Sequence, residues 1–156
     1  MAIAADALID FFGTADALGT TTSAVTDGSF SDGTNDLTAW TNDDDAPEAA
    51  AILTMQYASG TLDANPYVNL YARLIDIDGT TDAPVPDASY KEKYLGRFKI
   101  DTNLAATTDN AHAEDIDLPN TETSQVYHFY IENQTGVTIS AGWELTIVPK
   151  TVGPHA

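Results

Sequence analysis

Five stretches of this chain alternate apolar and polar residues with a period of two, and turn-forming clusters separate them. In "AAILTMQYA" the shared face carries Leu53, Met55 and Tyr57; in "YVNLYARLID" it carries Val68, Leu70, Ala72 and Leu74. "YLGRFKI" aligns Tyr94, Phe98 and Ile100, "QVYHFYIEN" aligns Tyr127, Phe129 and Ile131, and "WELTIV" aligns Trp143, Leu145 and Ile147. Successive side chains of an extended chain point to opposite faces, so these runs read as half-buried strands. The separators "SGTLDANP", "DTNLAATTDN", "LPNTETS" and "NQTGVTISAG" are rich in the residues that supply turn conformations. Five or more strands punctuated in this way predict an all-β fold, an antiparallel β-sandwich or jelly roll. Only "ADALIDFF" has the spacing of a short helix.

At 156 residues the chain is one domain by length, able to bury roughly two-thirds of its unfolded surface without staples. Residues 1–46 form a polar N-terminal arm and a Thr/Asp/Gly-rich segment, expected to pack on a sandwich formed by 47–156. Two D-G turn signals punctuate the arm, and Phe30 and Trp40 give it apolar anchors.

Charge narrows the classes of partner. Six Lys plus Arg stand against 24 Asp plus Glu, a formal net charge of −18. A field of that sign repels phosphate backbones and anionic lipid, so neither nucleic acid nor a membrane is an expected partner. The chain has no cysteine, which excludes disulfides, thiolate nucleophiles and sulfur-based zinc sites. "MAIAADALIDFF" lacks a basic n-region and carries Asp6 and Asp10, a poor secretory signal, so synthesis in a cytoplasm is expected. Residues 1–72 hold no Lys, Arg or His, whereas four of the six cations fall between Lys91 and Lys99.

The stretch most suggestive of chemistry is "RLIDIDGTTDAPVPDASY", Arg73 to Tyr90. An EF-type calcium loop spaces oxygens as D-x-[DN]-x-[DN]-G with a distal Glu. Asp76 and Asp78 begin that pattern, but Gly79 comes two positions early and Asp87 stands where the bidentate Glu belongs. Asp32, Thr34 and Asp36 fail similarly, with Leu37 in place of the glycine. Asp76, Asp78 and Asp82 are left as weak candidates for an irregular metal site. General acid and base work needs one carboxylate buried and the other ionised, and aspartates beside Gly, Thr and Pro carry no such cue. Pro84 and Pro86 instead indicate a stiff connection of about fifteen residues. His112, His128 and His155 are scattered, and no nucleophile elbow, zinc helix motif or phosphate loop is present. Neither catalysis nor a cofactor is therefore expected. Asn133 opens an N-Q-T sequon, read as a turn.

Two other features concern binding. With Tyr57, Tyr94 and Tyr127 assigned to the core, Tyr67, Tyr71 and Tyr130 are left to face outward, where a carbohydrate-binding module would stack sugars. In "YKEKYLGRFKID" the cations Lys91, Lys93, Arg97 and Lys99 share one parity, opposite Tyr94, Phe98 and Ile100. Such a strand shows water a basic stripe, available for cross-strand ion pairs, for edge protection, or for docking on an acidic surface of a neighbouring subunit such as Asp43, Asp44 and Asp45.

"LIDFFGTADALGT", "TNDDDAPEAAAIL", "YVNLYARLIDIDGTTDAPVPDASYKEKYLGRFKID" and "SQVYHFYIENQTGVTISAGWELTIVPKT" together resemble small virion structural proteins of tailed bacteriophages. The resemblance covers most of the chain and lies in texture and phrase, without a chemical motif. It implies a capsid decoration or cement protein on the capsid exterior, bound to the major capsid protein and working as a homo-oligomer, most often a trimer. A tail or head-fibre component has the same texture. The arm residues Ile9, Phe11 and Phe12 are then the apolar interface candidates.

Overall fold

The computed structural model describes residues 8–19, 22–32, 36–78, 80–91, 93–103 and 108–154, apart from the side chains of Leu8, Ile9 and Pro154. Among these described residues nine strands follow in chain order: β1 (Leu8–Phe12), β2 (Asp16–Ala17), β3 (Trp40–Thr41), β4 (Glu48–Met55), β5 (Tyr67–Ile75), β6 (Tyr94–Lys99), β7 (Asn110–Asp117), β8 (Val126–Gln134) and β9 (Glu144–Pro154). They form two antiparallel sheets. One runs β1–β9–β4–β7, with β2 also on β9; the other runs β3–β8–β5–β6. From β3 to β5, and again from β6 to β9, consecutive strands change sheet, and late strands lie between early ones. With β1 and β2 counted as one interrupted strand, this is the order of an eight-stranded jelly roll.

The alternating faces meet between the sheets. Ala49, Ala51, Leu53 and Met55 of β4 oppose Val68, Leu70, Ala72 and Leu74 of β5, with Tyr127, Phe129 and Ile131 of β8 beside them, all buried. Each fully buried large apolar side chain contributes about 1.5–3 kcal/mol. The arm supplies core as well as cover. Trp40 lies 5.7 Å from the Tyr127 ring and donates from Nε1 to Asp16 Oδ2 at 2.9 Å, while Leu18, Val25 and Leu37 add to the same buried core.

Three features depart from the sequence reading. Leu8–Phe12, expected to be helical, is strand β1, paired in register from Leu8↔Pro154 to Phe12↔Lys150. The i, i+3, i+4 spacing of its apolar residues mimics a helix, but a strand partner is present and overrides it. Tyr94, assigned to the core, is 47 % exposed. The ladder pairs Leu70 with Gly96 but Tyr71 with Tyr94, so Leu95 is an inserted bulge residue and moves Tyr94 to the outer face. Tyr71 and Tyr130, assigned outward, are each 2 % exposed. They lie on the outer face, where Phe30 covers Tyr71 at 5.4 Å between ring centroids.

Candidate functional site

The Arg73–Tyr90 connection completes the edge of β5 beyond its pairing with β6. Ala83 N–H donates to Leu74 O at 2.9 Å, Pro86 is buried, and the Arg73 guanidinium binds both Ala83 O and Asp82 Oδ2 at 2.8 Å. Its aspartates act as local caps. Asp78 Oδ1 accepts from the amides of Thr80 and Thr81, and Asp87 Oδ1 accepts from those of Ser89 and Tyr90. These bonds hold both carboxyls below the usual aspartate range, for Asp78 chiefly through the Thr80 and Thr81 amides and for Asp87 chiefly through the Ser89 hydroxyl and amide. Asp76 has φ of 53°, and its N–H donates to Asp82 Oδ1 at 3.2 Å. Asp76, Asp78 and Asp82 do not converge on one point, and no group of three metal-ligating side chains forms among the described residues. His112 faces the interior of edge strand β7, Asn133 is buried and donates to Val25 O and Val137 O, and Thr34 and His155 lie outside the described residues.

The basic stripe divides at the bulge. Lys91 Nζ contacts Glu132 Oε1 at 2.5 Å. Glu132, 3 % exposed, also accepts from Asn69 Nδ2 and the Tyr71 hydroxyl at 2.9 Å and from Gln134 Nε2 at 3.1 Å. Burial alone would raise its carboxyl pKa, but the hydrogen bonds from Lys91, Asn69 and Tyr71 outweigh it and hold the pKa below the ordinary value. The same burial, with the Glu132 carboxylate alongside, pushes the Tyr71 hydroxyl well above the usual tyrosine range. On the other side of the bulge, Arg97 lies over the Tyr67 ring at 3.9 Å and donates from Nε to Asn69 Oδ1 at 3.1 Å. Lys93, Arg97 and Lys99 form no ion pair with any described carboxylate. Among the described residues, ion pairing thus accounts for Lys91 alone of the four.

The acidic turn Asp43–Asp45 is exposed and follows edge strand β3, whereas Arg97 and Lys99 lie on the opposite edge strand, β6. Thr41 pairs with Val126, and Lys99 with Tyr67, which pairs in turn with Gln134. The two groups therefore sit at diagonal corners of one sheet, separated by three strand spacings of about 5 Å and about 25 Å of strand length. They cannot meet within one molecule.

The most exposed apolar surface is the ribbon formed by β1 and the end of β9. β4 pairs with β9 only from Glu144 to Lys150, so among the described strands Thr151–Pro154 have β1 as their sole partner. The ribbon thus extends past the sheet by about 13 Å. Six large apolar side chains are exposed among the described residues, and three of them, Phe11 (45 %), Phe12 (62 %) and Val152 (54 %), lie on this ribbon. Phe12 shares a face with Lys150, whose Nζ lies 5.9 Å from the ring centroid. Phe11 lies on the other face against Gly153, where an added Cβ would approach its ring to 3.1 Å. Ile9 pairs with Gly153 through its backbone, and its side chain lies outside the described residues. A ribbon with a phenylalanine on each face cannot bury both against its own domain.

No family model and no curated protein sequence matches this chain.

Proposed function

We propose that this protein is a non-enzymatic structural component of a tailed-bacteriophage virion, which decorates the capsid exterior and stabilises the shell through protein–protein contacts with the major capsid protein. One observation carries the reading: the β1–β9 ribbon, which projects beyond the sandwich with Phe11 and Val152 exposed on it and Phe12 exposed at its root on the face opposite Phe11. An exposed apolar element of this kind signals an interaction surface. The resemblance to small phage virion proteins supplies the identity of the partner. The −18 charge keeps free copies apart in solution, and contact with several capsid subunits adds buried area on assembly, in keeping with a trimer seated where subunits meet.

The test is to add purified protein to capsids that lack it, and to measure co-sedimentation and the temperature at which the shells open. Each phenylalanine buried at the contact contributes about 1.5–3 kcal/mol, so Phe11→Ser with Phe12→Ser should weaken binding by roughly 100-fold or more. Loss of the added heat resistance should follow. Equal binding by wild type and double variant, with both folded, would sink the ribbon's role; shells no more heat-resistant with the protein bound would sink the cement role.

A further inference from the structure

Three of the protein's six cations have no described carboxylate partner, although acidic residues outnumber basic ones by 24 to six. Two of those three, Arg97 and Lys99, line one concave site, a cleft of about 360 Å³ at the end of β6 that also contains Tyr67, Asn65, Asp101 and Thr102. That volume is within the range of small-ligand sites, about 300–1,000 Å³. We propose that this cleft binds a carboxylate-bearing sugar, a residue of the uronic or sialic acid type.

The guanidinium of Arg97 is fixed before any ligand arrives. Its Nε donates to Asn69 Oδ1 at 3.1 Å and its plane lies over Tyr67 at 3.9 Å, while neither Nη has a hydrogen-bond partner among the described residues. A held guanidinium with both terminal nitrogens open is the geometry that takes a carboxylate through two parallel hydrogen bonds. Lys99, opposite Tyr67 in the ladder and two residues from Arg97 on the same face, adds a second positive charge. Arg97, Lys99 and Asp101 are all exposed, so the cleft opens to solvent.

The other lining groups select between anions. Asp101 Oδ1 accepts from the N–H and the side-chain amide of Asn103, both at 2.9 Å, and Oδ2 has no described donor. A carboxylate oxygen lining the same cleft as the cations repels a second negative charge but accepts readily from a hydroxyl. Asn65 and Thr102 add neutral polar groups at the rim. A sugar acid brings one carboxylate and several hydroxyls. An acidic peptide brings many charges into the field of a −18 molecule and has no hydroxyls to offer Asp101.

The experiment titrates the isolated full chain, followed by amide and side-chain NMR shifts, with glucuronate, glucose, acetate and tetraglutamate at fixed ionic strength. Glucuronate should give saturable shifts at Tyr67, Arg97 and Lys99, with glucose and acetate each about tenfold weaker or more. Arg97→Gln should lose about tenfold or more in affinity, and Arg97→Lys, which keeps the charge without the fork, should lose most of that. Unchanged spectra elsewhere in each variant show that the fold is retained. Absence of saturable shifts with glucuronate, or acetate binding as well as glucuronate, would overturn the proposal. Tetraglutamate binding more tightly than glucuronate would do so as well, assigning the cleft to an acidic protein partner. Because no capsid is present, the outcome is independent of the decoration reading.

Discussion

Lys91→Met removes the cation from a carboxylate that has almost no access to water. In the wild type Glu132 is 3 % exposed and receives four donors, of which Lys91 alone is charged. Breaking a fully buried ion pair costs about 3–5 kcal/mol, and a hydrogen bond to a charged group is worth about 1.5–3 kcal/mol. The Lys91 side chain remains 44 % exposed, so solvent screens part of the pair. The lower range applies, about 2 kcal/mol at pH 7, and for a chain of this size a melting temperature lower by roughly 4–8 °C. Methionine retains the apolar stem beside Phe30, which isolates the charge. The folded-state pKa of Glu132 lies below its ordinary value of 4.5, so its contribution is fully present above about pH 4.5 and is lost as pH falls through the folded pKa. Urea denaturation at pH 7 and at about pH 3 should therefore show the gap between wild type and variant narrowing in acid. A double-mutant cycle with Glu132→Gln should return about 1–2 kcal/mol of coupling. Additive single effects, or an equal gap at both pH values, would refute the reasoning.

Other positions give separate tests. Gly136 has φ of 83°, and a Cβ there would meet Asp63 Oδ1 at 2.6 Å and its backbone N at 3.0 Å, so Gly136→Ala should cost about 1–3 kcal/mol in urea denaturation. Burial lowers the His112 pKa below its ordinary 6.5, only partly offset by a hydrogen bond with the Lys99 backbone and by Asp101. Wild-type stability should therefore decline as pH falls below about 6.5, and His112→Gln should flatten that limb of the stability curve. Asp82→Ala removes the exposed partner of Arg73 and the acceptor for the Asp76 amide. Global stability should change by less than about 1 kcal/mol, while hydrogen exchange at Asp76 and Ala83 accelerates.

Strands whose inward positions are all apolar are legible in the sequence. The sequences of β4, β5, β8 and β9 alternate because each packs one face into the core, although β5 and β8 are also covered on the other face. β7 is not, because the inward positions of this edge strand are Asn110, His112, Glu114 and Ile116, and only Ile116 is buried. Period counting also fails at Leu95, since one inserted residue reverses the parity of all that precedes it and carries Tyr94 to the side of Tyr71. Tyr71 and Tyr130 do occupy outward positions, but the outer face has its own cover, which no local pattern announces. The surface aromatics of the ribbon were legible as a cluster, Phe11 beside Phe12. The place of Phe11 on the overhang depends on β9 outrunning β4, a long-range property of register, whereas Phe12 lies at its root, opposite Lys150.

That register also orders events in time. On a ribosome the chain emerges from its N-terminus at about 5–20 residues per second, so β1 leaves the exit tunnel roughly ten seconds before the segment that pairs with it. Among the described strands, no other offers β1 a partner. A nascent chain that has not yet added Thr151–Pro154 therefore leaves Phe11 without its strand partner, with Phe12 still held opposite Lys150, and the stiff two-stranded form arises only once the end of β9 is made. If the ribbon is the element that engages the shell, a nascent chain without the end of β9 is a poor competitor for that position.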